Sequence, residues 1–190
     1  TKSLTIGNFS CDDIATLYKQ HSDETGQRFE PGVIERVFYW TNGQPWLVNA
    51  IARECVEEIL YRDYSKPITV ELVNQAVEVL IKRRDTHIDS LLERLKEERV
   101  RRVVEPVILG EQLSMDYLSD DRKYCLDLGL VKEEKGALVP SNRIYAEVIL
   151  RTLSFGPQTE MQMMITETPW FKSGSLDING LLKGFQQFWR

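Results

Sequence analysis

No stretch of the 190 residues stays apolar for the ~20 positions that a helix needs to cross a bilayer, and the N-terminus lacks a basic-then-apolar leader pattern. Helical membrane insertion is therefore not expected. Cysteine is scarce: Cys11, Cys55 and Cys125 lie far apart, without C-x-x-C spacing or a nearby histidine pair. That excludes a disulfide framework and a thiolate zinc site, and predicts free, mostly buried thiols in a reducing compartment, the cytoplasm. Surplus positive charge is missing too. Lys and Arg number 24 against 29 Asp and Glu, a net charge of -5, which disfavours a protein whose main task is to hold nucleic-acid phosphates.

Catalytic signatures are equally absent. The chain has no G-x-x-x-x-G-K-[ST] phosphate loop, no G-x-S-x-G elbow and no H-E-x-x-H pair. His21 and His87 fall in different predicted helices without a carboxylate or cysteine partner pattern, so both read as structural or solvent-facing. No catalytic residue and no metal ligand is predicted, and the fragment needs no cofactor of its own.

What the chain does have is apolar residues, 42% of the total, at helical spacing. Ser10-Cys11-Asp12-Asp13 has the form of a capping box, followed by Ile14, Leu17 and Tyr18 on one face. A second helix is expected from about Pro31 with Val33, Ile34, Val37 and Phe38, a third from about Pro45 to Leu60, and a fourth from about Thr69 to Lys82. Together they predict a small bundle over residues 1–84. From Asp85 a charged amphipathic helix runs on through "RVRRVVEPVILG", where Pro106 should kink or restart it. Two short helices follow, the second stopped by Gly129, then a hairpin turning at Gly136 and a last helix from "NRIYAEVILRTL". Helix, helix, helix, hairpin, helix is the order of a winged helix-turn-helix, predicted over 85–153. Residues 154–190 read as a linker and a truncated C-terminal helix. The fold class expected is mainly α: a helical lid-type bundle, then a winged helix with a small β-hairpin. Because the chain starts at Thr1 without Met and stops at Arg190 inside an apparent helix, it reads as a fragment of a longer polypeptide.

Three stretches carry functional interest. "TNGQPW" sets Gly43, Gln44, Pro45 and Trp46 at a helix mouth, more than the cap and proline that a helix start requires. "KRRD" makes Arg83 and Arg84 candidates for contact with a phosphate-bearing ligand or a partner domain, although a charge run more commonly forms a solvated face. "SDDRKYCLDLG", the helix that a DNA-binding winged helix would lay in the major groove, sets Asp120, Asp121 and Asp127 against Arg122 and Lys123, which phosphates would repel.

In order along the chain, "LTIGNFSCDDIATLYKQHSDETGQRFEPGVIERVFYWTNGQPWLVNAIA", the span from "LIKRRDTHIDSLLERLKEERVRRVVEPVILGE" through "DLGLVKEEKGALVPSNRIYAEVILRTLS", and "LDINGLLKGFQQFWR" resemble the lid, the winged helix and the linker helix of bacterial AAA-like ATPases of the signal-transduction (STAND-related) kind, followed there by a PD-(D/E)XK nuclease-like domain. The resemblance rests on order and combined length. It implies a non-catalytic regulatory piece that couples nucleotide state to domain movement, with Gly43-Gln44-Pro45 matching a G-x-P motif that sits over adenine. It also implies ATP and Mg for the parent protein. The partners implied are a nucleotide-binding core before Thr1 and a further domain after Arg190. Where such ATPases often have Met-His-Asp at the end of the wing, this chain has Ser141 and Asn142, so phosphate sensing by that histidine is not expected. Two other classes stay open: a winged-helix DNA-binding module, and a protein-interaction adaptor docking through Trp170, Phe171, Phe185, Phe188 and Trp189.

Overall fold

The computed structural model describes residues 7–83, 86–110 and 119–153, together with 171, 172, 175, 176, 178 and 182. The chain divides into two compact units, Thr1–Leu150 and Arg151–Arg190.

The first unit opens with α1 (Cys11–Thr25), whose start is the expected capping box: the Asp13 amide donates to Ser10 Oγ at 3.1 Å and the Ser10 amide to Asp13 Oδ2 at 2.9 Å. The Ser10 amide first, then its hydroxyl, holds the exposed Asp13 carboxyl below its usual pKa. Helix α1 ends at Gly26, left-handed at φ 76°. Helix α2 (Val33–Thr41) begins after a left-handed Gly32, two residues later than Pro31 suggests. Helix α3 (Pro45–Arg53) passes without a break into a π-helical turn, Glu54–Ile59, where the Leu60 amide reaches back five residues to the Cys55 carbonyl at 3.1 Å. The expected single helix to Leu60 is thus α-helical only to Arg53. Helix α4 (Val70–Arg83) completes the bundle.

The bundle core follows the apolar spacing. Ile14 and Tyr18 of α1, Val33 and Val37 of α2, Leu47, Val48 and Ile51 of α3, and Val73, Ala76, Val77 and Leu80 of α4 are buried. Fully burying each aliphatic side chain is worth roughly 1.5–3 kcal/mol, which supplies the driving force. Polar ties then set the packing. Tyr18 donates its hydroxyl to the Val48 carbonyl at 2.8 Å and stacks on Phe29 at 4.7 Å, while Trp40 Nε1 donates to Asn74 Oδ1 at 3.1 Å. Two connecting loops pair as a short parallel bridge, Phe29 with Ile68, through Glu30 and Ile68 amides at 2.9 Å each.

Helices α5 (Thr86–Leu95), α6 (Glu98–Leu109) and α7 (Ser119–Asp127) precede a hairpin of β1 (Val131–Glu134) and β2 (Ala137–Pro140), then α8 over residues 143–153. Val131 pairs with Pro140 and Glu134 with Ala137, and the turn residues Lys135 and Gly136 both take positive φ, 50° and 82°. Of the two short helices expected after "RVRRVVEPVILG", the second is α7 and the first, at "SMDYLS", lies outside the described residues apart from Ser119; the hairpin and the last helix follow as expected, but the single long helix expected from Asp85 is two. The chain restarts between α5 and α6, where the Lys96 and Glu97 amides bond the Glu93 and Arg94 carbonyls, and Pro106 sits within α6. A proline there forfeits one helical hydrogen bond close to the C-terminus, where few remain to be broken. Ile88, Leu91, Val100, Val103, Val104, Cys125, Leu130, Ile144 and Ile149 are among the buried apolar residues of these elements.

In the second unit, β3 (Phe171–Lys172) and β4 (Ser175–Leu176) pair antiparallel. The expected strand at "MQMMIT" lies outside the described residues, as do almost all of those of the expected C-terminal helix. Among the described residues no helix is long and apolar enough to cross a membrane.

Candidate functional site

The α2–α3 corner is built around Gly43. At φ 74° it takes a conformation that L side chains rarely adopt, and a Cβ there would stand 1.9 Å from the Phe9 carbonyl oxygen. The Phe9 amide donates to the Gly43 carbonyl at 2.7 Å, Asn8 Nδ2 to the Asn42 carbonyl at 2.9 Å, and the Gly43 amide to Thr41 Oγ1 at 3.1 Å. The segment leading into α1 is thereby laid against the corner. Gln44 is the N-cap of α3, its Oε1 accepting from the Leu47 amide at 2.6 Å, and Pro45 stands at the first helical position, where a missing N–H costs nothing. Pro45 remains half-buried and Trp46 is 36% exposed. Beside Trp46, a pocket of about 140 Å³ is lined by Asn49, Ala50, Arg53, Leu80 and Arg83.

Arg83 does not stand free there. Its Nη2 donates to Glu54 Oε2 at 2.8 Å, and Glu54, at the start of the π-turn, is a carboxylate only 2% exposed. Arg84 lies outside the described residues. In the second basic run, "RVRR" from Arg99 to Arg102, Arg99 and Arg102 approach Asp121 of α7 at 3.3 and 3.8 Å, Arg99 lies over the Tyr124 ring at 3.8 Å, and Arg101 pairs with Glu105 at 2.8 Å. Arg122 pairs with Glu133 at 2.7 Å. The residues α7 leaves most exposed are Asp120, Lys123 and Asp127, so its outer face stays acidic.

Sequence reasoning missed the cleft between α2 and the hairpin–α8 corner. It measures about 680 Å³ and runs from Glu35, Tyr39 and Asn42 across to Lys135, Asn142 and Arg143. Arg143 spans it, its guanidinium 4.1 Å from the Tyr39 ring centre, with Arg36 at 5.3 Å. Asn42 in this wall is the residue before Gly43, so the corner and the cleft adjoin. A spaced pair such as Tyr39 and Arg143 leaves no periodic trace, and only folding brings them together.

The titratable groups of the core are sealed. Burial pushes the Cys55 thiol up to about 12 and the Cys125 thiol up to about 11, and lifts the Tyr145 phenol to about 12. His21 Nε2 meets Gln27 Oε1 at 2.7 Å, and because Gln27 Nε2 donates to the Lys66 carbonyl, the histidine is the donor of this pair. That is the structural part the sequence assigns to it; the His87 side chain lies outside the described residues. With thiolate fractions this low, Cys55 and Cys125 should resist thiol reagents at pH 7 while half-buried Cys11 reacts first. Timed labelling with mass spectrometry checks this, and equal rates at all three would contradict it.

No family model matches the chain, and no curated protein matches it. Among solved structures, this mainly helical chain with its small antiparallel hairpin is similar to the RuvB Holliday junction branch migration motor of Thermotoga maritima. The TM-score is 0.40 at 15% identity, over 76% of this chain and 50% of that one. A lysine-to-arginine mutant of that RuvB gives a TM-score of 0.37 at 14% identity, over 77% of this chain and 50% of that one. The chain spans about half the length of these structures.

Proposed function

We propose that these residues are the lid and winged helix of an AAA-like ATPase of the STAND-related, nuclease-associated kind, a non-catalytic part that turns nucleotide state into movement of the elements after α4. The observation that carries the reading is the α2–α3 corner. Asn42, Gly43 and Gln44 are immobilised by their own hydrogen bonds, while Pro45 and Trp46 keep an apolar surface open at a helix start. A proline ring presents a flat face without a competing donor, which suits an adenine plane. The phosphate loop would come from a nucleotide-binding core outside these residues. So would the ligands of Mg. Adenine contact in one domain arrangement only would shift the equilibrium by its differential affinity.

In the full-length protein, Pro45→Ala is expected to weaken ATP binding roughly fivefold, the effect of losing about 1 kcal/mol of apolar contact. Unaltered affinity, measured by calorimetry, would sink the reading. Retention of duplex DNA by this chain at low salt, lost as salt rises, would favour the DNA-binding alternative instead.

A further inference from the structure

A second groove, of about 340 Å³, lies between α1 and the run of α3 into the π-turn. Its apolar lining is Leu17, Phe29, Ala52 and Val56, all buried or half-buried. The Phe29 ring is braced by Tyr18, stacked on it at 4.7 Å, and by His21, edge-on at 6.0 Å. The π-turn contributes Val56 and Glu57 to the wall, and such turns within helices recur at functional sites.

The hydrogen-bonding groups around this groove are unbalanced, and the imbalance specifies a ligand. Three of the lining side chains spend their donors inside the protein: the Tyr18 hydroxyl on the Val48 carbonyl at 2.8 Å, Asn49 Nδ2 on the Pro45 carbonyl at 2.9 Å, and His21 Nε2 on Gln27 Oε1 at 2.7 Å. Asn49 Oδ1 and, in the neutral ring, His21 Nδ1 are left as acceptors. Two carboxylates, Glu24 and Glu57, line the groove against one guanidinium, that of Arg53. Glu57 is held by Arg62 at 2.7 Å, with Arg53 at 3.9 Å, so its charge is met. Exposed Glu24 makes no hydrogen bond or ion pair among the described residues. It stands in the last turn of α1, which carries no basic residue to offset the negative end of the helix dipole. Apolar walls beside spare acceptors and an unmet negative charge match a cation with an apolar body.

Size decides between a small molecule and a protein. Along Leu17 to Glu24 and along Asn49 to Val56 each helix offers the groove about 10 Å, whereas a stable protein partner needs roughly 800 Å² on each side. The volume falls within the roughly 300–1,000 Å³ usual for small-ligand sites. We propose that this groove binds a small organic amine, its ammonium group at Glu24 and its apolar body against Phe29, Ala52 and Val56. The site does not depend on the adenine reading of Pro45.

The 15N-labelled protein is titrated at neutral pH and matched ionic strength with phenethylamine, 2-phenylethanol and phenylacetate, which share an apolar body and differ in charge. Saturable amide shifts over residues 17–25 and 49–59 are expected with phenethylamine, weaker ones with the alcohol and none with phenylacetate. Glu24→Gln, on an exposed side chain, should weaken phenethylamine about fivefold, the upper end for an exposed ion pair, and leave the alcohol unchanged. Glu24→Lys should reverse the preference, so that phenylacetate binds and the amine does not. Phenylacetate matching phenethylamine on the unaltered protein, shifts confined to other parts of the molecule, or undiminished amine binding in both Glu24 variants would overturn the proposal.

Discussion

Gly43→Ala should destabilise the protein by about 2–3 kcal/mol, combining roughly 1–2 kcal/mol for a left-handed L residue with about 1 kcal/mol for a lost hydrogen bond. The new methyl group would stand 1.9 Å from the Phe9 carbonyl oxygen, and backbone cannot swing aside as a side-chain tip can. The segment before α1 must lift, breaking the 2.7 Å bond from the Phe9 amide to the Gly43 carbonyl. Two measurements follow the change. The urea midpoint should fall, and the Phe9 amide should exchange faster than those of the α1 interior. If both stay at wild-type values, the packing described for this corner is wrong. Gly26→Ala is the control, because a Cβ there meets nothing within 4 Å although φ is 76°. It should cost only the backbone part.

Arg83→Ala should cost about 2 kcal/mol. Stranding a buried ion by removing its partner usually costs roughly 3–5 kcal/mol, and the lower figure applies because the Arg83 side chain is 39% exposed and partly screened by water. Glu54 is the group that suffers, a carboxylate at 3% side-chain exposure with its guanidinium gone. Replacing both residues by Met should recover most of the loss, since no charge is then left buried. Thermal unfolding of the two single variants and the double variant gives the coupling; additive losses would show that the pair does not act as a unit. Any phosphate ligand of Arg83 would have to compete with this carboxylate, which bears directly on the part the sequence suggests for that arginine.

Glu54 and Arg83 also show how much could be read in advance. Leu47, Ile51, Glu54 and Cys55 stand at i, i+4, i+7 and i+8, and Ala76, Leu80 and Arg83 at i, i+4 and i+7, so both charges continue an apolar stripe. The spacing carried the signal that Glu54 turns inward and that Arg83 borders the same face. That they meet each other, 29 positions apart in the chain, depends on how α4 lies along the π-turn. The π-turn itself left no such mark, because "ECVEEI" suits an α-helix equally well. Gly129 and Gly136 were legible for a local reason: each takes positive φ, 68° and 82°, at a chain reversal that glycine makes without strain. The acidity of α7 was only half legible. Its net sign could be counted, whereas the loan of Arg99 and Arg102 to Asp121 could not.

By itself the sequence determined the helical periods, the capping box at Ser10, the reversal glycines and the hairpin followed by a last helix. Each is decided within a turn or two of chain, by side-chain spacing or by backbone sterics. Tertiary structure alone decided why Gly43 must be glycine, since the atom it spares belongs to Phe9. It also decided which carboxylate Arg83 serves, and the placing of Tyr39, Asn142 and Arg143 around one cleft. These are contacts between residues tens of positions apart, and no local preference encodes a distance that only the closing of the fold creates.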